Sequence, residues 1–159
     1  KYNHPSPIIM SLFSKNKVLV PIDFSEESFQ VQKSTLDFVE DPTHLYIVHI
    51  LPVLNPTEPG IVWETIDDET RKEYIRKKFF ERCNQPEYKG INFYVNVGDP
   101  ASEIIDYAEQ EKIDLIVIPS HGRTGISRFF LGSVAERVIR HAHCPVLVLR
   151  RDSLKSHRG

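Results

Sequence analysis

The chain has 159 residues, of which 40% are hydrophobic and 26% are charged. This is the composition of one ordinary globular domain that can bury a core without disulfides or metals. The formal net charge of −2 and the lack of any apolar run of roughly 18 residues exclude an obvious nucleic-acid or membrane partner. Two cysteines make no disulfide framework, so we expect a cytoplasmic protein.

The two ends of the chain are expected to lie outside the domain. Met10 is the only methionine, and the residues from Met10 onward have the appearance of a natural start. We therefore expect residues 1–14 to be flexible or derived from cloning. Residues 15–151 are expected to form the domain, and the basic stretch 152–159 to be a flexible tail.

Strand-like and helix-like hydrophobic periods alternate along the first half of the chain. The apolar run 18–22 predicts a first strand, and Ser25 is placed to cap a helix after it. Leu45–Leu51 predicts the second strand, the prolines of 52–60 predict an exposed loop, and a charged helix is expected over 65–83. The side chains expected to be buried are Val31, Thr35, Phe38 and Val39 on the first helix and Ile75, Phe79 and Cys83 on the second.

The second half repeats this alternation. Residues 91–97 alternate strictly between apolar and polar, which is typical of an edge strand. Asp99 is predicted to cap the next helix, with Pro100 at its first position. A buried strand over 114–118, a helix over 133–142 and a last strand ending in Val146–Leu149 follow. The third helix is expected to bury Ile104, Ile105 and Ala108.

Alternating strands and helices predict a single-domain α/β fold, with a five-stranded parallel sheet, right-handed crossovers and helices on both faces. We predict the strand order 3-2-1-4-5. Ligands of such folds bind beyond the carboxyl ends of the strands, where the strand order reverses. Here that point lies between strands 1 and 4, so residues 21–23 would lie next to the loop 119–133.

This loop joins a buried strand to an amphipathic helix and carries Gly122, Gly125 and Gly132. Free backbone N–H groups and the positive end of the helix converge there, which favours an anion such as a phosphate. The alternative is structural, because Gly125 could be a turn glycine and Ser133 an ordinary helix cap. The chain has neither a P-loop lysine nor the Rossmann glycine triplet, which removes the usual ATPase and dehydrogenase interpretations.

Over residues 15–151 the sequence resembles the universal stress protein family. The segments that carry the resemblance are VPIDFS at 20–25, SHGRTG at 120–125, GSVAERV at 132–138 and CPVLV at 144–148. The resemblance implies a Rossmann-like fold of the adenine nucleotide α-hydrolase type. It also implies a homodimer formed through the last strand, Val146–Leu149, whose apolar edge would otherwise lie unpaired.

The ATP-binding branch of that family has the pattern Gly-x-x-Gly, nine residues, then Gly-Ser or Gly-Thr. Gly122, Gly132 and Ser133 match this pattern, whereas Pro119 replaces the first glycine and removes one N–H group. We therefore expect binding to be retained but weaker. The ligand would be ATP, or alternatively ADP or AMP, and Mg²⁺ could be bound together with it. The predicted nucleotide-binding residues are Pro21, Ile22, Asp23, Ile50, Pro119, His121, Gly122, Arg123, Gly132, Ser133 and Val134.

Within this set, the resemblance implies that Asp23 hydrogen-bonds the adenosine and that Ile50 packs on the adenine. Gly122, Arg123 and the residues 132–134 would surround the phosphates. Alternatively, Asp23 has a structural role and caps or supports the start of the helix that follows it.

Two further motifs are not expected to carry chemistry. Ser120 and His121 are adjacent, and adjacent residues rarely face each other in attack geometry, so we predict no catalytic residues. His141, His143 and Cys144 lack a fourth ligand, so we predict no metal site.

The sequence thus predicts a nucleotide-binding dimer that acts in stress response or signalling, with little or no hydrolysis and with an unidentified protein partner. The alternative is a dimeric interaction module of the same family that binds no nucleotide, with Pro119 marking a lost site. A true hydrolase or nucleotidyl transferase is disfavoured because no acid–base pair is evident.

Overall fold

A computed structural model describes residues 14–54, 67–121 and 131–150. These residues form five strands and four α-helices, together with short 3₁₀ helices at Pro42–His44 and Pro86–Tyr88. The elements in chain order are β1 Val18–Pro21, α1 Glu26–Val39, β2 Leu45–Leu51, α2 Asp68–Arg82, β3 Asn92–Val97, α3 Pro100–Gln110, β4 Leu115–Pro119, α4 Ser133–His141 and β5 Val146–Leu149.

The five strands form one parallel sheet in the order β3-β2-β1-β4-β5. This confirms the predicted α/β class and the predicted strand order, including β3 and β5 as the two edges. The chain leaves β1 toward β2 and β3 and then returns to β4 and β5. The strand order therefore reverses between β1 and β4, as expected.

Successive residues of the buried strands point to opposite faces of the sheet, and each face is covered by two helices. On one face, Val18 and Val20 belong to a core with α1, with Phe79 of α2 and with Cys83 just beyond it. On the other face, Leu19 packs with α3 and α4. The alternation in β1 therefore supplies both cores from three consecutive fully buried residues, Val18, Leu19 and Val20.

Some details of the predicted core are wrong. Phe38 is 46% exposed, because α1 presents Leu36 and Val39 to the sheet and turns Phe38 outward, where the Lys15 ammonium lies 5.4 Å from its ring centroid. Ile75 and Ile105 are only partly buried. The helix predicted from residue 65 begins at Asp68 after the cap Asp67, and residues 65 and 66 lie outside the described part of the chain.

The amino ends of β1 and β4 are fastened together by hydrogen bonds. The Asp114 carboxylate accepts from the backbone N–H of Lys17 at 3.1 Å and from the Ser14 hydroxyl at 2.9 Å. In return, the Asp114 N–H donates to the Lys17 carbonyl at 2.9 Å. The Lys17 ammonium also donates to the Glu111 carbonyl at the end of α3. This end of the central strand pair is therefore closed.

Within the described ranges, no helix is long and apolar enough to cross a membrane. Burial raises the pKa of both thiols, Cys83 and Cys144, which keeps them protonated. The two cysteines are not joined to each other.

Candidate functional site

At their carboxyl ends β1 and β4 separate. Their pairing stops at Leu19 and Ile116, and each strand ends in a proline, Pro21 in β1 and Pro119 in β4. In a strand, the N–H groups of every second residue point to the same neighbouring strand, and those of the residues between them point to the opposite side. Ile22 donates to β2, so position 21 faces β4. Neither strand can donate a hydrogen bond across the gap from these two positions, because proline has no N–H.

A cavity of about 270 Å³ lies in the crevice that this separation leaves. Every predicted site residue that the structure describes lines it, which brings together the ends of β1, β2 and β4 and the start of α4. Gly122 and Arg123 lie outside the described residues. The predicted residues on its wall are Pro21, Ile22, Asp23, Ile50, Pro119, His121, Gly132, Ser133 and Val134.

Asp23 occupies the turn from β1 into α1. Its Oδ1 atom accepts from the Ser25 N–H at 3.0 Å and from the Ser25 hydroxyl at 2.5 Å. Ser25 in turn caps α1 by accepting from the Ser28 N–H. Asp23 therefore has the structural role of supporting the start of α1, and the residue also lines the cavity. Its bonds to Ser25 use only one of the two carboxylate oxygens, and each of these oxygens has more than one acceptor position.

The residue after Asp23 is held in an uncommon conformation. Phe24 has φ = 64°, which bulky L-residues rarely adopt. Its ring packs edge-on against Phe29 and against His49, with centroid distances of 5.6 and 4.9 Å. The Nδ1 atom of His49 donates to the Ile22 carbonyl at 2.8 Å, because a carbonyl oxygen can only accept. Packing and this hydrogen bond together fix the backbone that leads into Asp23.

The start of α4 differs from the starts of the other helices. Side chains of Ser25, Asp67 and Asp99 cap α1, α2 and α3, which confirms the predicted caps at Ser25 and Asp99. The N-cap of α4 is Gly132, and within the described residues no side chain caps this helix. The first N–H groups of a helix need an acceptor from elsewhere. Ser133, Val134 and Ala135, the first three residues of α4, all line the cavity, so their N–H groups lie beside it.

Ser120 holds the two ends of the loop between β4 and α4. Its N–H donates to the Leu149 carbonyl of β5 at 3.0 Å, and its carbonyl accepts from the Gly132 N–H at 2.9 Å. Its hydroxyl lies 2.8 Å from Nδ1 of His121. The expectation that these adjacent side chains do not face each other was therefore wrong. Among the described residues nothing bonds His121 Nε2, so no carboxylate completes a catalytic triad.

An ion pair ties α3 to α4 next to the cavity. Arg137 Nη1 lies 2.8 Å from an oxygen of Asp99, and Arg137 Nη2 donates to the Ser102 hydroxyl at 3.1 Å. The Arg137 guanidinium and the Ser102 N–H hold the pKa of the Asp99 carboxyl well below its usual range. Pro100, the residue after Asp99, lines the cavity. The pair thus links α4 to the start of α3 beside the site.

Several cavity residues were missed by the sequence analysis. Ser28, His49, Pro100 and Ile104 also line the wall. For His49 a signal existed, because it is a polar residue inside the apolar run of β2. The others look like ordinary cap and core residues, and only the fold brings them to the crevice. Among the described residues no group of three metal-ligating side chains is found, so His141 and His143 gain no metal partners there.

Comparison with known proteins identifies relatives along almost the whole chain. The model of the universal stress protein family matches residues 15–150. The universal stress protein MJ0531 of Methanocaldococcus jannaschii is 36% identical over 141 residues, which cover 85% of this chain and 82% of that protein. MJ0577 of the same organism is 47% identical over 162 residues, which cover 91% of this chain and 99% of that protein.

Solved structures share the same architecture. The structure of MJ0577 superposes with a TM-score of 0.65 at 30% identity and covers 86% of this chain and 96% of its own. A universal stress protein in complex with cAMP superposes with a TM-score of 0.60 at 22% identity and covers 86% of this chain and 98% of its own. At that lower identity the likeness shows a shared fold.

Proposed function

The chain belongs to the universal stress protein family, and from this membership we propose that it binds an adenine nucleotide in the cavity between β1 and β4. The nucleotide is ATP, or alternatively ADP or AMP. The protein acts as a cytoplasmic homodimer in stress response or signalling, where the nucleotide sets its conformation or its choice of protein partner. The working unit is the domain 15–151, and hydrolysis is slow or absent.

The observation that carries this proposal is the uncapped start of α4 beside the cavity. Its free N–H groups and the positive end of the helix favour an anion, and a phosphate supplies both the charge and the acceptors. The complex of a structural relative with cAMP supports the choice of an adenine nucleotide. The two observations favour binding over the alternative of an interaction module without a nucleotide.

Within the cavity, the nucleotide lies along the carboxyl ends of the strands. Ile50 and Ile22 supply apolar contact for the adenine, and the Asp23 carboxylate accepts from the adenosine. Residues 132–134 surround the phosphates, which accept from the N–H groups of Ser133 and Val134, and Gly122 and Arg123 are predicted to join them. Mg²⁺ would accompany the phosphates, as it does in most nucleotide sites.

Slow hydrolysis follows from the polar groups that line the cavity. A general base must be able to take a proton from the attacking water. Asp23 is bonded to Ser25, and His121 Nδ1 is bonded to Ser120. The described residues show no acid and base arranged as a pair on the wall, so binding rather than turnover is the activity that this geometry supports.

A thermal melt with nucleotides tests the proposal. ATP at about 100 times its Kd should stabilise the domain by about 2.7 kcal/mol, which raises the melting temperature by about 5–11 °C. An Asp23→Asn variant keeps an oxygen for Ser25 but loses the charge, so it should melt like the wild type without ligand and respond less to ATP. If ATP, ADP, AMP and cAMP all leave the melting temperature unchanged, the chain is the non-binding interaction module.

The homodimer is proposed through the β5 edge of the sheet. Leu147 on β5 is 46% exposed, and Ile139 on α4 is 43% exposed. Two such edges can pair around a two-fold axis and cover these apolar side chains. A Leu147→Lys variant should sediment as a monomer, whereas Val53→Lys, a change at a residue that is 69% exposed and lies away from this edge, should not. A monomeric wild type at micromolar concentration would contradict the dimer.

A further inference from the structure

We infer that His49 is a positioning residue of the site, because its imidazole takes the Ile22 carbonyl and so ends the hydrogen-bond ladder between β1 and β2 one step early, beside Asp23. His49 acts on the ligand through the backbone of β1 and β2. This role rests on the proposed nucleotide binding and deepens it, since it explains how the crevice is kept open on the β2 side of β1.

The ladder between β1 and β2 has a regular continuation at this point. In a parallel pair, a residue donates to the neighbouring strand through its N–H and accepts through its carbonyl from a residue two positions further along that strand. The Ile22 N–H donates to the Val48 carbonyl at 2.8 Å. A continued ladder would therefore join the Ile50 N–H to the Ile22 carbonyl. The Leu51 carbonyl points to the other side, where it accepts from the Gly98 N–H.

A side-chain hydrogen bond stands in place of this ladder bond. Nδ1 of His49 donates to the Ile22 carbonyl at 2.8 Å. Among the described residues, no backbone hydrogen bond joins Ile50 to Ile22, and the pairing of β1 with β2 ends at Pro21 and Val48. Ile50 lines the cavity, so its N–H, which β1 does not use, lies beside the cavity.

The place of His49 in β2 decides the side from which it binds the carbonyl. Ile47 belongs to the core with α1 and α2, whereas Val48 belongs to the core with α3 and α4. Side chains alternate along a strand, so His49 shares the face of Ile47. Ile104 and Ala135 of the other core line the cavity. The imidazole therefore binds the carbonyl from the α1 and α2 side of the sheet, away from these two residues.

Both chain neighbours of Asp23 are in contact with His49. Ile22 on one side accepts the hydrogen bond from the imidazole. Phe24 on the other side packs edge-on against the same ring, with 4.9 Å between centroids, and also against Phe29 in the core. One side chain of β2 thus holds the backbone on either side of the carboxylate that is proposed to bind the nucleoside.

A matched pair of variants tests this role. His49→Asn keeps a side-chain N–H close to the place of Nδ1, whereas His49→Leu has a branch of similar shape without a donor. In His49→Leu the ladder bond should form, so the Ile50 amide should exchange its hydrogen about fivefold more slowly. The affinities for ATP and for adenosine should both fall about tenfold, because the change lies at the nucleoside end of the cavity. In His49→Asn, the exchange rate and both affinities should stay within about twofold of the wild type.

Amide exchange of the unliganded protein separates positioning from plain support of the fold. In the wild type, the Ile50 amide should exchange faster than the amide of Val48, which lies in the paired part of β2. If His49→Leu weakens ATP binding but leaves the Ile50 amide exchanging as in the wild type, His49 only supports the fold and the inference is overturned. Equal losses of affinity in both variants, with unchanged exchange, would mean that the imidazole contacts the nucleotide itself.

The outcomes also separate this role from the proposed function. If the wild type binds ATP but its Ile50 amide exchanges as slowly as that of Val48, the ladder is already closed. The role of His49 is then wrong, and nucleotide binding stands. If the wild type binds neither ATP nor adenosine, the proposed function fails and the positioning role fails with it.

Discussion

The two ends of the central strand pair, β1 and β4, have opposite characters. At the amino end, Asp114 accepts from the Lys17 N–H and from the Ser14 hydroxyl, and the strands are closed by these bonds. At the carboxyl end, Pro21 and Pro119 have no N–H to donate, pairing stops at Leu19 and Ile116, and a cavity of about 270 Å³ lies beyond. One pair of strands thus carries a hydrogen-bonded closure at one end and the candidate ligand site at the other.

The contrast lies in where backbone donors are used. At the closed end, the Lys17 N–H donates to the Asp114 carboxylate and the Asp114 N–H donates to the Lys17 carbonyl. At the open end, the N–H groups at the start of α4 have no capping side chain in the described part of the chain, and the residues that carry them line the cavity. Changes at the closed end should therefore alter stability alone, and changes at the open end should alter binding first.

The largest effect is expected at the closed end. Asp114→Ala removes the acceptor of two hydrogen bonds and leaves the Lys17 N–H without its partner. The free energy of unfolding should fall by about 2–4 kcal/mol, because bonds to a charged acceptor contribute about 1.5–3 kcal/mol each and are not additive. Chemical denaturation measures this loss.

Asp114→Asn is the control, since it keeps one carbonyl oxygen and should lose less than half as much stability. ATP affinity should stay within twofold of the wild type in both variants. A tenfold loss of affinity in either variant would show that the two ends are coupled, and the contrast between them would no longer hold.

The next effect is expected at the start of α4. Gly132→Asp supplies the missing helix cap, and its backbone angles, φ = −64° and ψ = 150°, suit any L-residue. The cap should stabilise the free protein by about 0.5–1 kcal/mol. Its carboxylate would occupy the phosphate position, so ATP affinity should fall roughly thirtyfold, about 2 kcal/mol.

Gly132→Asn separates charge from capping. Asparagine caps a helix about as well as aspartate, but it does not repel a phosphate. It should therefore stabilise the free protein equally and weaken ATP binding by only a fewfold. Should the two variants bind ATP equally, the negative charge is not the cause and no phosphate lies at this helix start.

The architecture of the molecule could be predicted from the sequence because it depends on the periodic spacing of apolar residues along whole strands and helices. Apolar runs in β1 and β4 and the strict alternation in β3 predicted which strands are central and which lie at an edge. Ser25 and Asp99 were recognised as caps because a cap is a local property of a few residues. The rule that ligands bind where the strand order reverses predicted that residues 21–23 lie next to the loop 119–133, whereas the family resemblance supplied the individual residues, such as Ile50.

Other features depend on side-chain geometry, which the sequence does not contain. Phe38 was assigned to the core because a helical period alone does not decide between Leu36 and Phe38 at the margin of an apolar stripe. The hydrogen bond from Ser120 to His121 depends on the side-chain torsions of both residues. Ser28 was missed because only the turn after β1 brings the first turn of α1 to the cavity. His49 is a polar residue inside the apolar run of β2, a signal that the sequence analysis did not use.

The smallest effect is expected at Pro119, the residue that replaces a glycine of the family pattern. The N–H groups of Ile116 and Ser120 point to β5, so position 119 points to β1 and the crevice. Pro119→Ala restores an N–H there, and ATP affinity should rise about fivefold, which corresponds to about 1 kcal/mol for one additional hydrogen bond. Pro119→Gly restores the same donor but adds backbone freedom. It should therefore gain ATP affinity over the wild type and be less stable than the alanine variant.

The contrary result is tighter folding with weaker ATP binding in the alanine variant. It would mean that the new N–H pairs with the Pro21 carbonyl and closes the crevice. Titration and denaturation of the two variants together distinguish a donor that binds the ligand from one that extends the sheet.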